Sequence, residues 1–225
     1  MVDSPLYGRY GALENPFDRR RERSVAADIP THRFIVNFLY QFPFGKGRRY
    51  LAQGGRALDL LAGGWEFSGI FAAQTGGFLT PIWCGADPTG TAFTGSIDRA
   101  FVCIRPDQLR DPNLPSSEQT LQRWFDPEAF APPPVGRFGT SAKGVIKGPG
   151  TNVWNAIFAK NFSFQEGGAR LRLELMARNL FNHPNWSNPV TDISSGVAGR
   201  IFGAFGTSFD FAQVRQIRAG IRFEW

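Results

Sequence analysis

The sequence predicts an all-β protein, an antiparallel up-and-down transmembrane β-barrel segment of about five strands with long loops. The first supporting observation is that apolar and polar side chains alternate along residues 213–225, up to the terminal Trp225. The second is composition, because 22 Phe and 26 Gly among 225 residues favour strands and turns over helices. The third is that no run of about 20 apolar residues could form a transmembrane helix.

Four upstream segments repeat this alternation, so strands are predicted near residues 32–42, 64–75, 152–164, 170–182 and 213–225. Amphipathic strands of about 9–11 residues are long enough to cross an outer membrane. The third strand is irregular, because Lys160 falls on its apolar face. This lysine either extends toward the membrane interface or marks a bulge that exchanges the two faces.

The connections between these strands differ strongly in length. Residues 77–150 and 183–212 are predicted to be long irregular loops, whereas the connectors at 43–63 and 165–169 are shorter. Within the first connector, residues 56–61 are compatible with one helical turn. If Trp225 lies on the periplasmic side, both long loops are extracellular and both shorter connectors are periplasmic. This asymmetry is typical of outer-membrane barrels.

The polar faces of the predicted strands would line a water-filled lumen. The candidate lumen-facing residues are Arg33, Asn37, Gln41, Glu66, Arg170, Arg172, Glu174, Arg178, Arg218 and Arg222. The simplest interpretation is that these side chains hydrate the lumen and form ion pairs with one another.

The two cysteines, Cys84 and Cys103, lie in the same predicted loop. In an exported protein they would form a disulfide. By closing a loop, this bond would stabilise the folded state by about 3 kcal/mol in the chain-entropy model. In a cytosolic protein they would remain two free thiols.

The net charge of +6 does not indicate nucleic-acid binding, because the densest basic run, residues 19–23, is short and isolated. The first ten residues lack the basic and apolar regions of a secretory signal peptide. We therefore expect the natural protein to begin upstream of Met1.

No catalytic or cofactor-binding constellation is predicted. His32 and His183 have no partner at metal-ligand spacing, so neither is expected to bind a metal. Asp126 and Glu128 could be taken for a pair of acids, but no third group accompanies them. We therefore expect a protein that is not an enzyme.

Several segments resemble, in order, the C-terminal end of a TonB-dependent outer-membrane receptor of the Oar-like, carboxypeptidase-regulatory-like kind. They are NPFDRRRERSVAADIPTHRF, YQFPFGKGRRY, GGWEFSGIFAAQTGGFLTP, RWFDPEAFAPP, GPGTNVWNAIFAKNF, LRLELMARNLFNHPNW and RAGIRFEW. The resemblance spans nearly the whole chain. It implies a barrel of 22 strands in the outer membrane of a Gram-negative bacterium, of which this chain supplies about the last five.

The resemblance also implies a function and partners. The parent receptor would bind a bulky extracellular ligand and import it with energy from the TonB complex, reached through an N-terminal part. This segment lacks the plug domain of that family and is expected to be inactive by itself. Some lumen-facing residues would contact the plug. The last strand, with Ile217, Ile221, Phe223 and Trp225, resembles the signal that the outer-membrane assembly machinery reads.

One alternative from a different class is a secreted, soluble β-sandwich that binds carbohydrate with exposed Trp and Phe side chains. The two hypotheses differ in whether the apolar strand faces meet lipid or a second sheet.

Overall fold

The computed structural model describes residues 14–15, 18–25, 29–85, 102–164, 168–204 and 214–225. The chain divides into two compact units. The sheet unit comprises Arg33–Gln74, Thr151–Asn185 and Ala204–Trp225, and the loop unit comprises Met1–His32, Thr75–Gly150 and Trp186–Gly203.

Long strands make up most of the sheet unit, whereas the strands of the loop unit have only two or three residues each. The strands are β1 (Arg33–Gln41), β2 (Trp65–Gln74), β3 (Phe78–Leu79), β4 (Trp83–Gly85), β5 (Val102–Ile104), β6 (Asp107–Gln108), β7 (Phe130–Ala131), β8 (Ile146–Lys147), β9 (Thr151–Ser163), β10 (Arg170–Arg178) and β11 (Gln216–Glu224). Helix α1 spans Arg56–Ala62, and two 3₁₀ turns span Arg19–Glu22 and Pro127–Ala129. The helical turn expected at 56–61 is confirmed and continues to Ala62.

The sheet unit is one antiparallel sheet of five strands in the order β1-β2-β9-β10-β11. These strands have 9 to 13 residues, which is long enough to cross the hydrocarbon core of an outer membrane. Strand β10 ends at Arg178 rather than at residue 182. Asn179 and Asn182 adopt positive φ angles of 49° and 53°, which an extended strand cannot contain.

The pairing passes through Lys160 without a bulge. Trp65 and Leu173 are its direct partners on the two neighbouring strands, and the register with β10 continues beyond it in both directions. Of the two interpretations of Lys160, the bulge is therefore wrong, and the lysine lies on the apolar face of the sheet.

Aromatic rings cover that apolar face across β1, β2 and β9. Phe71 stacks on Trp154 with ring centroids 4.3 Å apart, and Trp65 stacks on Phe158 at 4.7 Å. The ring of Phe38 lies across Gly69 of the neighbouring strand. A Cβ atom at Gly69 would lie 2.8 Å from this ring and 2.3 Å from the carbonyl oxygen of Asn155, so the close approach requires glycine.

The loop unit has a hydrophobic core of its own, formed by Leu79, Phe125, Ala129, Phe130 and Ile146. The strand pairs β3–β8, β4–β5 and β6–β7 surround this core with short ladders. Most of the described residues in 77–150 lie outside regular elements, but the short ladders and the core were not part of the predicted irregular loop. Such short ladders give no sustained alternation in the sequence, so the pattern analysis could not detect them.

Replacing Gly69 with alanine should destabilise the sheet unit by about 1–3 kcal/mol, because the new methyl group would collide with a backbone carbonyl and with a ring. The matched control is Gly220→Ala, where the nearest atom to an added Cβ is 3.7 Å away. The stability of both variants is measured on gels, as the urea concentration at which the heat-modifiable band of the folded protein disappears. An equal effect of the two substitutions would contradict the packing argument.

Candidate functional site

The charged face of the sheet gathers every candidate lumen-facing residue on one side. Residues paired across an antiparallel ladder point to the same side of the sheet. Following the paired residues from strand to strand shows that all ten candidates point to the same side of the sheet. They are Arg33, Asn37, Gln41, Glu66, Arg170, Arg172, Glu174, Arg178, Arg218 and Arg222. The candidates therefore share one face, although they come from four different strands.

Arg172 is the centre of the polar contacts on this charged face. Its Nη2 atom donates to Glu66 Oε1 at 2.9 Å, and its Nη1 atom donates to Asn161 Oδ1 at 3.1 Å. Its Nε atom donates to Glu174. The guanidinium thus joins β2, β9 and β10, and its side chain is only 25 % exposed. A half-buried ion-pair network of this kind holds its members in fixed positions.

Two of the other candidates on the charged face, Glu66 and Glu174, belong to this network. Arg33, Asn37, Arg218 and Arg222 are exposed on the two outer strands. Gln41 accepts a hydrogen bond of 3.2 Å from Arg48 Nη2 in the connector. The structure therefore separates a fixed group around Arg172 from side chains that project outward.

The opposite face of the sheet exposes large apolar side chains. Phe34 is 59 % exposed, Leu175 50 % and Ile221 78 %. A contiguous apolar surface that covers a whole sheet is unfavourable in water. Such a face requires an apolar environment, as the lipid-facing side of a barrel does.

On this apolar face, the Lys160 ammonium group donates hydrogen bonds to backbone carbonyl oxygens at the end of helix α1. Its Nζ atom donates to the carbonyl oxygen of Gly63 and lies 3.4 Å from that of Leu61. The ring centroids of Trp65 and Phe162 lie 5.1 Å from Nζ. The residue is 5 % exposed, so its charge is held by backbone oxygens and aromatic rings rather than by water.

The terminal strand β11 forms one edge of the sheet, and β1 forms the other. Ile217, Ile221, Phe223 and Trp225 all fall on the apolar face of β11, and Trp225 is 96 % exposed. The rings of Phe223 and Trp225 stack with centroids 5.8 Å apart. Their expected role as an assembly signal stays a prediction.

Cys84 and Cys103 are joined by a disulfide between β4 and β5, with 4.1 Å between their Cα atoms. The segment that this disulfide closes includes residues 86–101, which lie outside the described part of the chain. A disulfide at this position suits a protein that folds in an oxidising compartment.

The acidic pair considered from the sequence does not form a paired-acid site. Asp126 accepts hydrogen bonds of 2.7 Å from both Arg110 and Arg123, whereas the Glu128 side chain is 86 % exposed. Burial alone would raise the pKa of Asp126, but the hydrogen bonds and charges of the two arginines outweigh it and lower this pKa. The hydrogen bond from Arg137 likewise lowers the pKa of Asp107.

The sequence analysis missed a buried charge cluster in the loop unit. Arg105, with a side chain 4 % exposed, donates to Glu14 Oε2 and to Glu22 Oε1, each at 2.8 Å. Lys143 Nζ lies 2.7 Å from the second oxygen of Glu22. Arg105 lies 91 and 83 positions from the two glutamates, so no local pattern could indicate that they meet.

The sequence analysis also missed an asparagine clasp, formed by Asn155, Asn179 and Asn185, at the end of β10. The Asn179 side chain accepts from the backbone N–H of His183 and donates to its carbonyl oxygen, both at 2.9 Å. Asn155 and Asn185 accept from the backbone N–H groups of residues 179 and 152. The motif NLFNHPN therefore makes a polar turn, and His183 contributes mainly through its backbone.

Within the described ranges, no group of three or more His, Cys, Asp or Glu side chains could hold a metal ion. Among the described residues, no helix is long and apolar enough to span a membrane.

A protein-family model described as an outer membrane beta barrel domain matches residues 2–218. The chain therefore belongs to this outer-membrane β-barrel family, and its place is the outer membrane of Gram-negative bacteria. This agrees with the predicted fold class and does not fit the soluble sandwich. No curated protein and no solved structure matches the chain.

The clasp predicts different effects for two neighbouring side chains. Asn179→Ala should lower the stability of the sheet unit by about 1–3 kcal/mol, because both backbone groups of His183 lose their hydrogen bonds to the Asn179 side chain. His183→Ala should change this stability little, because the residue is exposed and its ring lies 3.4 Å from Asn152 Nδ2, at a long hydrogen-bond distance. Urea unfolding in detergent micelles measures both. A larger loss for His183→Ala would contradict the assignment of the clasp.

The loop unit should lose stability in acid. Since the pKa values of Asp126 and Asp107 are lowered in the folded protein, their contribution is complete above the unfolded value, about pH 4, and disappears as the pH falls through the folded values. Urea midpoints from near-UV circular dichroism at pH 7, 5 and 3 should decline mainly below pH 5. The control, Asp126→Asn, should be less stable at pH 7 and show a flatter profile. If the urea midpoint of Asp126→Asn falls just as steeply with pH, the loss of stability in acid comes from groups other than Asp126.

Proposed function

We propose that this chain forms part of the wall of a TonB-dependent outer-membrane receptor, which binds a bulky ligand at the cell surface and imports it. The observation that carries the proposal is the pair of open edges on the five-stranded sheet. In lipid, unpaired edge N–H and C=O groups are strongly unfavourable, and the smallest single-chain barrels have about eight strands. The edges of β1 and β11 therefore call for further strands.

The ordered set of segments that resembles Oar-like receptors supports a barrel of 22 strands. In that arrangement the connectors that contribute to the loop unit are extracellular, where a folded unit with a disulfide and its own core could contribute to ligand binding. The proposed partners are the lipid bilayer, the assembly machinery, an extracellular ligand and, through an N-terminal part of the receptor, the TonB complex. We propose neither enzymatic activity nor nucleic-acid binding.

Arg172 is the proposed contact between the barrel wall and the plug. It is fixed by Glu66 and Glu174 on the charged face, and a fixed guanidinium can donate further hydrogen bonds to carbonyl or carboxylate oxygens with little loss of entropy. Movement of the plug past this residue would be part of opening the import route.

Import itself is tested with the full-length receptor in cells with and without TonB. Cells are incubated with a panel of fluorescent peptides, glycans and iron chelates, and accumulation of at least one compound should require both the receptor and TonB. Equal accumulation without TonB would overturn the energy coupling.

The plug contact is tested by Arg172→Ala and Glu174→Ala in the full-length receptor, with Arg33→Ala as the control on the same face. Hydrogen exchange of the plug segment opposite Arg172 should become about tenfold faster in the first two variants, as expected for a lost charged hydrogen bond. Cells should also become more sensitive to vancomycin, which is too large for ordinary porins. Unchanged plug protection and unchanged uptake would remove the idea.

A further inference from the structure

An open apolar groove of about 760 Å³ lies on the lipid-facing side of the sheet, beside helix α1. Leu60 and Leu61 form its wall on the helix side, and Phe158, Leu173 and Leu175 form its wall on the strands. Its single charged lining residue among those described, Lys160, already donates to the helix carbonyls. The groove therefore offers a hydrocarbon surface with no unsatisfied charge.

A second recess, of about 890 Å³, adjoins the groove at the rim of the sheet. Both are lined by Leu60, Trp65, Phe162 and Phe164, so an apolar wall is common to them. Four charged residues of its lining come from the connector between β1 and β2, namely Lys46, Arg48, Arg56 and Asp59, and two, Arg170 and Glu66, come from the charged face of the sheet.

Four basic side chains thus line the recess against two carboxylates, and both carboxylates already accept hydrogen bonds. Asp59 Oδ1 accepts from the backbone N–H of Lys46 at 2.6 Å. Glu66 accepts from Arg172 at 2.9 Å. The charged side chains that line the recess therefore carry a net positive charge.

We propose that groove and recess together bind one anionic phospholipid of the leaflet that borders this rim. One of its acyl chains occupies the groove along β9 and β10, because this face of an outer-membrane barrel is surrounded by hydrocarbon. Its phosphate lies among Arg48, Arg56 and Lys46, whose donors match phosphate oxygens in geometry and charge. The strand ends and α1 place the basic side chains next to the apolar groove, as a molecule with a charged head and an apolar tail requires.

The site is tested by native mass spectrometry of the full-length protein released from nanodiscs that contain equal parts of phosphatidylglycerol and phosphatidylethanolamine. The wild type should retain one phosphatidylglycerol in preference to phosphatidylethanolamine. Arg48→Gln and Arg56→Gln should each lower this retention about fivefold. The matched control is Arg49→Gln, which removes the same charge from the same connector but not from the lining of the recess, and it should retain the lipid as the wild type does.

The groove is tested separately by Leu61→Gln, with Leu58→Gln on the same helix as the control outside the lining. Leu61→Gln should lower retention of both phospholipids, whereas Leu58→Gln should not. Heat-modifiable gel migration verifies that each variant is folded. A measurement without variants is hydrogen exchange of residues 56–62 in the wild type, which should slow when phosphatidylglycerol is added to phosphatidylcholine nanodiscs.

Three outcomes would overturn the proposal. One is equal retention of both phospholipids, which indicates ordinary annular lipid. Another is an equal effect of Arg49→Gln and Arg48→Gln together with unchanged exchange of residues 56–62. The last is retention of lipopolysaccharide in place of phosphatidylglycerol when both are supplied.

Discussion

The pairing of backbone N–H and C=O groups between neighbouring strands is the constraint on which the rest of the structure depends. In a bilayer no water replaces a missing backbone partner, so strands must pair along their whole membrane-crossing length. The ladder accordingly runs through β9 without a bulge, even where Lys160 occupies the lipid-facing side. Because the register is unbroken, the lysine lies on the apolar face, where the carbonyl oxygens at the end of α1 accept its hydrogen bonds.

The same unbroken register produces two surfaces with opposite chemistry. On one, aromatic rings stack from β1 to β9 and Gly69 makes room for the ring of Phe38. On the other, Arg172 joins three strands through carboxylate and amide oxygens. Because side chains alternate strictly along a strand, a single residue of slippage would place arginines in lipid and phenylalanines in the lumen. The two faces therefore reinforce the register that creates them.

The long connectors obey a different rule, since they must fold without the support of regular alternation. They use a small aromatic core around Phe125 and Phe130, a disulfide and buried ion pairs around Arg105. Asp126 is an example of a charge that stabilises this unit. Its two arginine partners stabilise the ionised carboxylate in a position from which water is largely excluded. The acid serves the fold here, whereas the side chain of its neighbour Glu128 is exposed.

By itself, the sequence determined the strands, the assignment of side chains to two faces and the membrane environment, because period-two alternation is a local property that survives in any register. The end of β10 was predicted less accurately, since the turn at Asn179 depends on the side chain of Asn155, which reaches across from β9. Only the tertiary structure decided which charged residues meet. Arg172, for example, donates to Glu66, which lies 106 positions earlier in the chain. The loop core, the asparagine clasp and the place of Lys160 were likewise beyond local analysis. Each depends on contacts between distant segments, and those contacts exist only after the strands have paired.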